Sequence, residues 1–390
     1  MPKILIFIDW FIPGYKAGGP ISSNANLINH LSNEFDFYVL TRDTDYCEKV
    51  PYKNIISDTW NTLPNGAKVY YISNKSLTFK TIIRIVRSIE FDYVYINGLY
   101  SKYFSIFPLL YFKYFTNKKI VVSSRGMLSD HSFSSKKSKK KIFYFFGSVL
   151  NLYKNIVFHA TNNEEANQIK KNLKYNGKIK VAPNLAPKNN SEYEAKHKES
   201  GVLNIISIAR ISEEKNTLFA LEVLKKCNAQ QINFDLYGTI YNEAYWADCL
   251  KIIDSLPSHI KVNYKGTIDK AQIPIVLNNY HCLLMPSLGE NYGHAIIESF
   301  MVGCPVIISD RTPWRNLQNL QTTNNEQQIT KEVGWDLPLE NPETFVKAIE
   351  QCTKMNQEEY NKISRDAWEF AQIIINDPKV LEANRKLFID

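Results

Sequence analysis

The chain has 390 residues, a hydrophobic fraction of 44% and a net charge of +8, which suits two globular domains of ordinary core content. Its six cysteines are scattered with no Cys-x-x-Cys pair, so free thiols in a reducing cytosol fit better than a disulfide framework. No apolar run approaches the ~20 residues that cross a bilayer, and the longest, Tyr103 to Phe112, stops at Lys113.

Met1-Pro-Lys-Ile-Leu-Ile-Phe-Ile lacks a basic n-region and a small-residue cleavage site, so it reads as a first strand and not a signal peptide. The Lys3 to Ile8 strand runs into Pro13-Gly-Tyr-Lys-Ala-Gly18-Gly19-Pro20, and a helical pattern follows to about Phe35. A Gly pair between strand and helix lets backbone pass close to a ligand; a plain tight turn is the other reading. Short strands recur at Phe37–Leu40, Val69–Ile72, Tyr93–Ile96, Ile120–Ser123 and Ile156–Ala160, with helical patterns between several of them. That alternation predicts an α/β fold with a parallel, doubly wound sheet.

Ser123-Ser-Arg125-Gly126-Met-Leu-Ser-Asp130-His131 places a cation, a glycine and a titratable His at a strand end. Next come Lys136, Lys137, Lys139, Lys140 and Lys141, joined to Ile142-Phe-Tyr-Phe-Phe146. Cations beside aromatic rings suit an anionic membrane surface; a solvated face is the alternative. No nucleic-acid-binding motif accompanies the lysines, so no nucleic-acid partner is expected. His159-Ala-Thr161-Asn-Asn-Glu164-Glu165 reads as a helix start, with Thr161 or Asn162 as the cap and Glu in the first turn. A strand from Lys178 to Ala182 ends at Pro183-Asn184, and the polar stretch Lys188 to Gly201 reads as an interdomain linker.

A second βα series starts at Leu203–Ala209 and runs into Arg210-Ile-Ser-Glu-Glu-Lys215-Asn216 and a helix over Thr217–Cys227. Arg and Lys on one strand-to-helix loop can converge on a polyanion, the first as a planar fork and the second as a point charge. Pairing with Glu213 and Glu214 is the bland alternative. Phe234 to Gly238 is the next strand, ending where backbone can approach a nucleotide. Helical patterns cover about Glu243–Asp254 and Lys270–Tyr280, with a strand at Val262–Tyr264 between them. The apolar run His281–Met285 stops at Pro286. The loop carries Glu290, Asn291, Tyr292 and Gly293, and a helix from about Gly293 to Val302 carries Glu298. Gly303 is placed to end that helix in a left-handed conformation, and Pro305–Ile308 opens another strand. Helical patterns at Pro342–Glu350 and Glu358–Ile375 close the series.

Two Glu with seven residues between them, followed by Gly303-Cys304-Pro305-Val306, resemble the sugar-nucleotide signature of glycosyltransferase family 4. His294-Ala295 departs from the Leu-Pro or Thr-Pro many members carry there. The resemblance implies two Rossmann-like domains facing each other across a cleft (GT-B). An acceptor-binding domain would span 1–185, with a C-terminal helix at about 376–390 packed back on it, and a nucleotide-sugar-binding domain would span 200–375. It implies a retaining glycosyltransferase that moves a sugar from a nucleotide-diphosphate sugar, UDP- or GDP-linked, to a lipid-linked saccharide in bacterial surface polysaccharide synthesis. No cofactor or metal is expected. Arg210 and Lys215 would bind the diphosphate, Glu298 the ribose and Glu290 the sugar. Asn291, Tyr292, Gly293 and Gly238 would line the donor site. From the first domain Gly18, Gly19 and either His131 or Arg125 would reach the donor. The expected location is the cytoplasmic face of the plasma membrane, as a peripheral protein. A nucleotide-sugar epimerase of the same architecture and a non-catalytic lipid- or polyanion-binding protein are the competing readings.

Overall fold

Strands form where the apolar runs lie. In β1 (Lys3–Phe7), Ile4, Leu5, Ile6 and Phe7 are all fully buried, so both faces are covered, as in a parallel sheet with helices on each side. The computed structural model describes residues 1–128, 152–188, 192–324 and 327–389. Two compact units divide the chain: Met1–Lys188 with Asp377–Asp390, and Asn189–Asn376.

The first unit contains α1 (Gly19–Leu31), β2 (Asp36–Arg42), β3 (Trp60–Thr62), β4 (Lys68–Ile72) and α2 (Phe79–Arg87). They are followed by β5 (Tyr93–Asn97), α3 (Phe107–Phe115), β6 (Lys119–Ser123), β7 (Val157–Ala160), α4 (Asn163–Leu173) and β8 (Lys178–Val181). The strand order is β3-β4-β2-β1-β5-β6-β7-β8. All neighbours run parallel except the edge strand β3, which runs antiparallel to β4. Three-residue β3 has no apolar run of its own, and no sequence pattern marks it. The chain leaves β1 on the β2 side and returns on the β5 side, so the winding reverses there. Such a reversal opens a crevice beyond the carboxyl ends of the two central strands.

The second unit repeats the plan. It holds β9 (Val202–Ile208), α5 (Thr217–Lys225), β10 (Gln231–Tyr237), α6 (Glu243–Asp254), β11 (Ile260–Tyr264), α7 (Ile273–Leu277), β12 (Cys282–Met285) and α8 (His294–Met301). After these come β13 (Val306–Ser309), the hairpin β14 (Leu320–Asn324) and β15 (Gln327–Lys331), β16 (Gly334–Leu337), α9 (Pro342–Lys354) and α10 (Gln357–Ile375). Its parallel sheet is ordered β11-β10-β9-β12-β13-β16, with the reversal between β9 and β12. The final helix, α11 (Pro378–Arg385), returns to the first unit. There Asn384 donates to the Pro183 carbonyl at 2.8 Å, Arg385 pairs with Glu34, and Phe388 packs edge-on against Phe35, Tyr93 and Tyr95.

The stretch after Lys188 is not a solvated linker. Lys196 and Lys198 are 7% and 3% exposed. The Lys196 ammonium donates to the carbonyls of Leu277 at 3.1 Å and Tyr280 at 3.3 Å, at the end of α7. Lys198 donates to Thr353 at 3.1 Å and Met355 at 3.3 Å, at the end of α9. The last carbonyls of a helix have no intrahelical partner and carry partial negative charge, so a buried ammonium is stabilised there. Gln357 binds the backbone of the same stretch on both sides, donating to the Lys196 carbonyl and accepting from the Lys198 N–H. The composition is that of a linker; the tertiary positions of two helix ends make it structural.

Candidate functional site

The reversal in the second sheet brings together the loops after β9 and β12. The first loop ends in a 3-10 turn, Glu213–Lys215, and Asn216 takes a left-handed conformation as it enters α5. The backbone N–H of Leu288 donates to the Glu214 carbonyl at 2.9 Å, tying the second loop to the first. Lys215 Nζ then lies 2.5 Å from Glu290 Oε1, with side chains 15% and 11% exposed. A further backbone bond, Glu290 N–H to Arg311 O at 3.0 Å, fixes the Glu290 end. Arg210 lies on the more open side. It pairs with Glu214 at 3.2 Å and stacks 5.3 Å from the Tyr241 ring centre. Two cations therefore sit on one loop, one locked to the loop glutamate and one on an exposed local pair.

Glu298 projects from α8 into the interior and is 7% exposed. Burial pushes its carboxyl up to about 7, a rise the Lys270 ammonium partly offsets. Lys270 is on a 3-10 turn just before α7, and burial draws its own pKa down. The loop between the two glutamates is braced by Trp314, whose indole N–H donates to the Tyr292 carbonyl. Asn291 and Tyr292 lie in that loop, half-buried, and Gly293 caps α8 at φ +80°. The helix exit follows its sequence signal: Gly303 takes φ +62°, and the N–H of Cys304 bonds back to Ser299 O at 2.9 Å.

Gly238 directly follows β10. The space a side chain would take is filled by protein: an added Cβ would lie 1.8 Å from the Ala209 carbonyl oxygen, and φ is +149°. The glycine answers a close approach between the ends of β9 and β10. Gly238→Ala is expected to lower unfolding free energy by roughly 2–4 kcal/mol. Urea denaturation measures it, and a variant as stable as the parent would show that these strand ends can move apart.

In the first unit Gly18 (φ +77°) precedes α1, and an added Cβ there would meet nothing within 4 Å. Gly19 is the first helical residue, and its carbonyl accepts from Ser23 Oγ at 3.0 Å. The loop carrying both is held by Asp45, whose carboxylate accepts from the Tyr15 N–H at 2.9 Å and the Lys16 N–H at 3.2 Å. Arg125 occupies the end of β6. Its guanidinium donates to Asn97 Oδ1 (2.8 and 3.0 Å), Asn184 Oδ1 (2.9 Å) and the Tyr95 hydroxyl (2.9 Å). Tyr95 bonds His159 Nδ1 at 2.6 Å, and His159 Nε2 bonds Ala182 O at 2.8 Å. The carbonyl fixes the proton on Nε2, so Tyr95 donates to Nδ1. Burial and the Arg125 charge draw His159 down to about 4, so it is neutral.

Beside this chain Glu165 accepts four hydrogen bonds, from Ser124 Oγ, Gly126 N, Thr161 N and Thr161 Oγ1. Burial pushes its pKa up, but those donors outweigh burial and hold it below the usual range. Sequence reasoning missed this network. Glu165 and His159 read there only as parts of a helix start; its cap is Asn162, one of the two residues the pattern offered, which accepts from the Glu165 N–H at 2.8 Å. His131 and the five lysines from Lys136 to Lys141 lie outside the described residues.

Among the described residues no three His, Cys, Asp or Glu side chains cluster so as to hold a metal ion, and no helix is long and apolar enough to cross a membrane. Residues 189–369 match the model of the family described as glycosyl transferases group 1. Over 303 residues the chain is 24% identical to an uncharacterized 41.2 kDa protein in the cps region of Klebsiella pneumoniae, covering 73% of this chain and 77% of that protein. The fold is similar to that of the sucrose-phosphate synthase from Thermosynechococcus elongatus, with a TM-score of 0.71 at 14% identity over 100% of this chain and 98% of the other. It is also similar to Anabaena HepE in complex with UDP-glucose, with a TM-score of 0.65 at 15% identity over 99% and 98%. A third likeness is to a mutant of S. aureus TarM in complex with Fondaparinux, alpha-GlcNAc-glycerol and UDP, with a TM-score of 0.65 at 13% identity over 100% of both chains.

Proposed function

We infer a retaining glycosyltransferase, from the match of residues 189–369 to the group 1 glycosyl transferase model. It moves a sugar from a nucleotide-diphosphate sugar to a lipid-linked saccharide in surface polysaccharide synthesis. The observation that supports this best is the Lys215–Glu290 pair at the reversal of the second sheet, with buried Glu298 eight positions further on. Breaking the anomeric bond places negative charge on the leaving diphosphate. Lys215 and Arg210 meet that charge together with N–H groups at the α5 end of the loop, and fixed charges of this kind act most strongly where charge develops. Glu290, positioned by Lys215, holds sugar hydroxyls. Glu298 accepts from the ribose hydroxyls. The acceptor attacks on the face the diphosphate leaves, and the leaving phosphate takes its proton.

Within the first unit, the Gly18-Gly19 turn and either Arg125 or His131 are the candidates for ligand contact. Lys136, Lys137, Lys139, Lys140 and Lys141 bind anionic headgroups at ~1 kcal/mol each near the surface, so the protein works peripherally on the cytoplasmic face of the membrane. Relatives crystallised with UDP-glucose and UDP make a uridine donor the first to try. A thermal-shift panel of UDP-, GDP- and ADP-sugars tests the donor site. Ligand at 100 times its dissociation constant adds ~2.7 kcal/mol of stability, so one nucleotide class should raise the melting temperature. No shift with any of the three would overturn the reading.

A further inference from the structure

Three polar groups beside α8 have no bonding partner among the described residues. The Tyr292 hydroxyl is closed off from solvent and makes no hydrogen bond there. The carboxylate of buried Glu298 makes no hydrogen bond or ion pair. Neither does the half-buried Lys270 ammonium. The three are neighbours. Lys270 is on the turn that opens α7, and α7 packs against α8, which carries Glu298. Burial draws the Lys270 pKa down, and the Glu298 charge partly restores it. Burial pushes the Tyr292 hydroxyl up and the Glu298 charge adds to the rise, so the phenol keeps its proton. Tyr292 is fixed from its backbone and its ring. Its carbonyl accepts from the Trp314 indole, and its ring centre lies 5.5 Å from Trp314 and 4.9 Å from His294.

Buried polar groups are nearly always bonded, and one left unmade destabilises the fold. The inventory here is one carboxylate, which accepts through two oxygens, beside an ammonium and a phenol, which donate. That inventory selects the chemistry of a ligand. A phosphate offers acceptors alone, and Glu298 repels it. A base carbonyl offers an acceptor to Lys270 or Tyr292 and nothing to Glu298. A small cation suits the carboxylate but is repelled by Lys270. A vicinal diol meets all three groups. Its two O–H groups donate to the two carboxylate oxygens, and its own oxygens accept from the ammonium and the phenol. The Lys270 charge also favours the ionised Glu298 that accepts both O–H groups.

We propose that Lys270 and Tyr292 are specificity-determining residues of the donor site: they donate to the oxygens of the ribose diol whose O–H groups Glu298 accepts, so each reads one hydroxyl of the nucleotide. This rests on the reading of Glu298 as the acid that holds ribose. Calorimetric titration at pH 8 tests it, with UDP, GDP and the 2′-deoxy and 3′-deoxy forms of each. Three proteins are compared: the parent, Lys270→Met and Tyr292→Phe. Both substitutions keep the shape of the side chain, and melting temperatures check the fold. The parent should bind UDP or GDP tighter than either deoxy form, on the order of tenfold or more. Each variant should bind the ribonucleotide about tenfold more weakly. Each should also lose its discrimination against one deoxy form and keep it against the other, because the hydroxyl it no longer reads stops counting. If Lys270 acts only through its charge on Glu298, Lys270→Met keeps both discriminations and moves only the pH at which affinity levels off. That result, or a Tyr292→Phe protein that discriminates as the parent does, would overturn the assignment and leave these groups bonded to solvent. The two readings fail separately. A parent that binds neither UDP nor GDP removes the donor site itself, whereas a parent that binds and discriminates beside variants that match it removes only Lys270 and Tyr292.

Discussion

Lys215→Ala should lower donor turnover by on the order of 10²-fold or more while the protein stays folded, and Arg210→Ala should follow in the same direction. The magnitude is that of removing one fixed charge from a developing anion. The two positions differ physically. Arg210 is part-exposed and its partner is Glu214, four residues on, in a pair worth little in water. Its loss costs the fold almost nothing, so a fall in turnover reports chemistry. Lys215 is bonded to a Glu290 that is 11% exposed, and its removal leaves a mostly buried carboxylate unpaired. That alone could misplace Glu290. The double variant Lys215→Ala/Glu290→Gln separates the cases. If Lys215 only positions Glu290, the double variant should match Glu290→Gln alone, whose expected signature is a lower kcat with little change in KM. If Lys215 also carries leaving-group charge, the double variant should be slower than either single one. Wild-type turnover at saturating donor for both single variants would remove the cations from the mechanism.

The second unit is more legible in sequence than the first because its signals are local. Arg210 and Lys215 share one loop, Glu290 and Glu298 share one loop and helix, and Gly303 stops that helix where its φ demands a glycine. A strand-loop-helix unit carries such spacing within twenty residues. The Arg125 network has no such record. It joins residues 95, 97, 125, 159, 165 and 184, brought together by the order of β5, β6, β7 and β8 in the sheet. Each is unremarkable by itself, and a neutral His and a four-times-bonded Glu have no sequence period. Lys196 and Lys198 fail in the opposite way: their composition argues for solvent, and only the ends of α7 and α9 show why an ammonium is buried there. Lys270 belongs with them, since its value to Glu298 depends on where the turn before α7 folds back.

Glu298→Gln should change both nucleotide affinity and the pH dependence of stability, and the sign of each follows from burial. The folded carboxyl sits at about 7, against an ordinary value of 4.5. Between those values the native state holds a proton that the unfolded chain has released. Stability contributed by the protonated group is therefore complete below about pH 4.5 and is lost as pH rises through 7, on the order of 3 kcal/mol in all. The Gln variant has no such proton to lose, so the stability gap between variant and parent should move in the variant's favour from pH 5 to pH 8. Binding runs the other way. Two ribose hydroxyls donate best to a carboxylate, so nucleotide binding favours the ionised form and draws the pKa back toward its ordinary value. Affinity for UDP or GDP should then rise with pH up to about 7, by roughly tenfold for each pH unit the bound pKa falls, and level off above it. Glu298→Gln should bind weakly with no such rise. Calorimetric titration at pH 5.5, 6.5 and 8, beside urea unfolding at pH 5 and 8, reads both effects. If the variant binds nucleotide as tightly as the parent, Glu298 does not hold ribose; if the two unfolding profiles share one pH dependence, the carboxyl is not the buried acid that its place in α8 makes it.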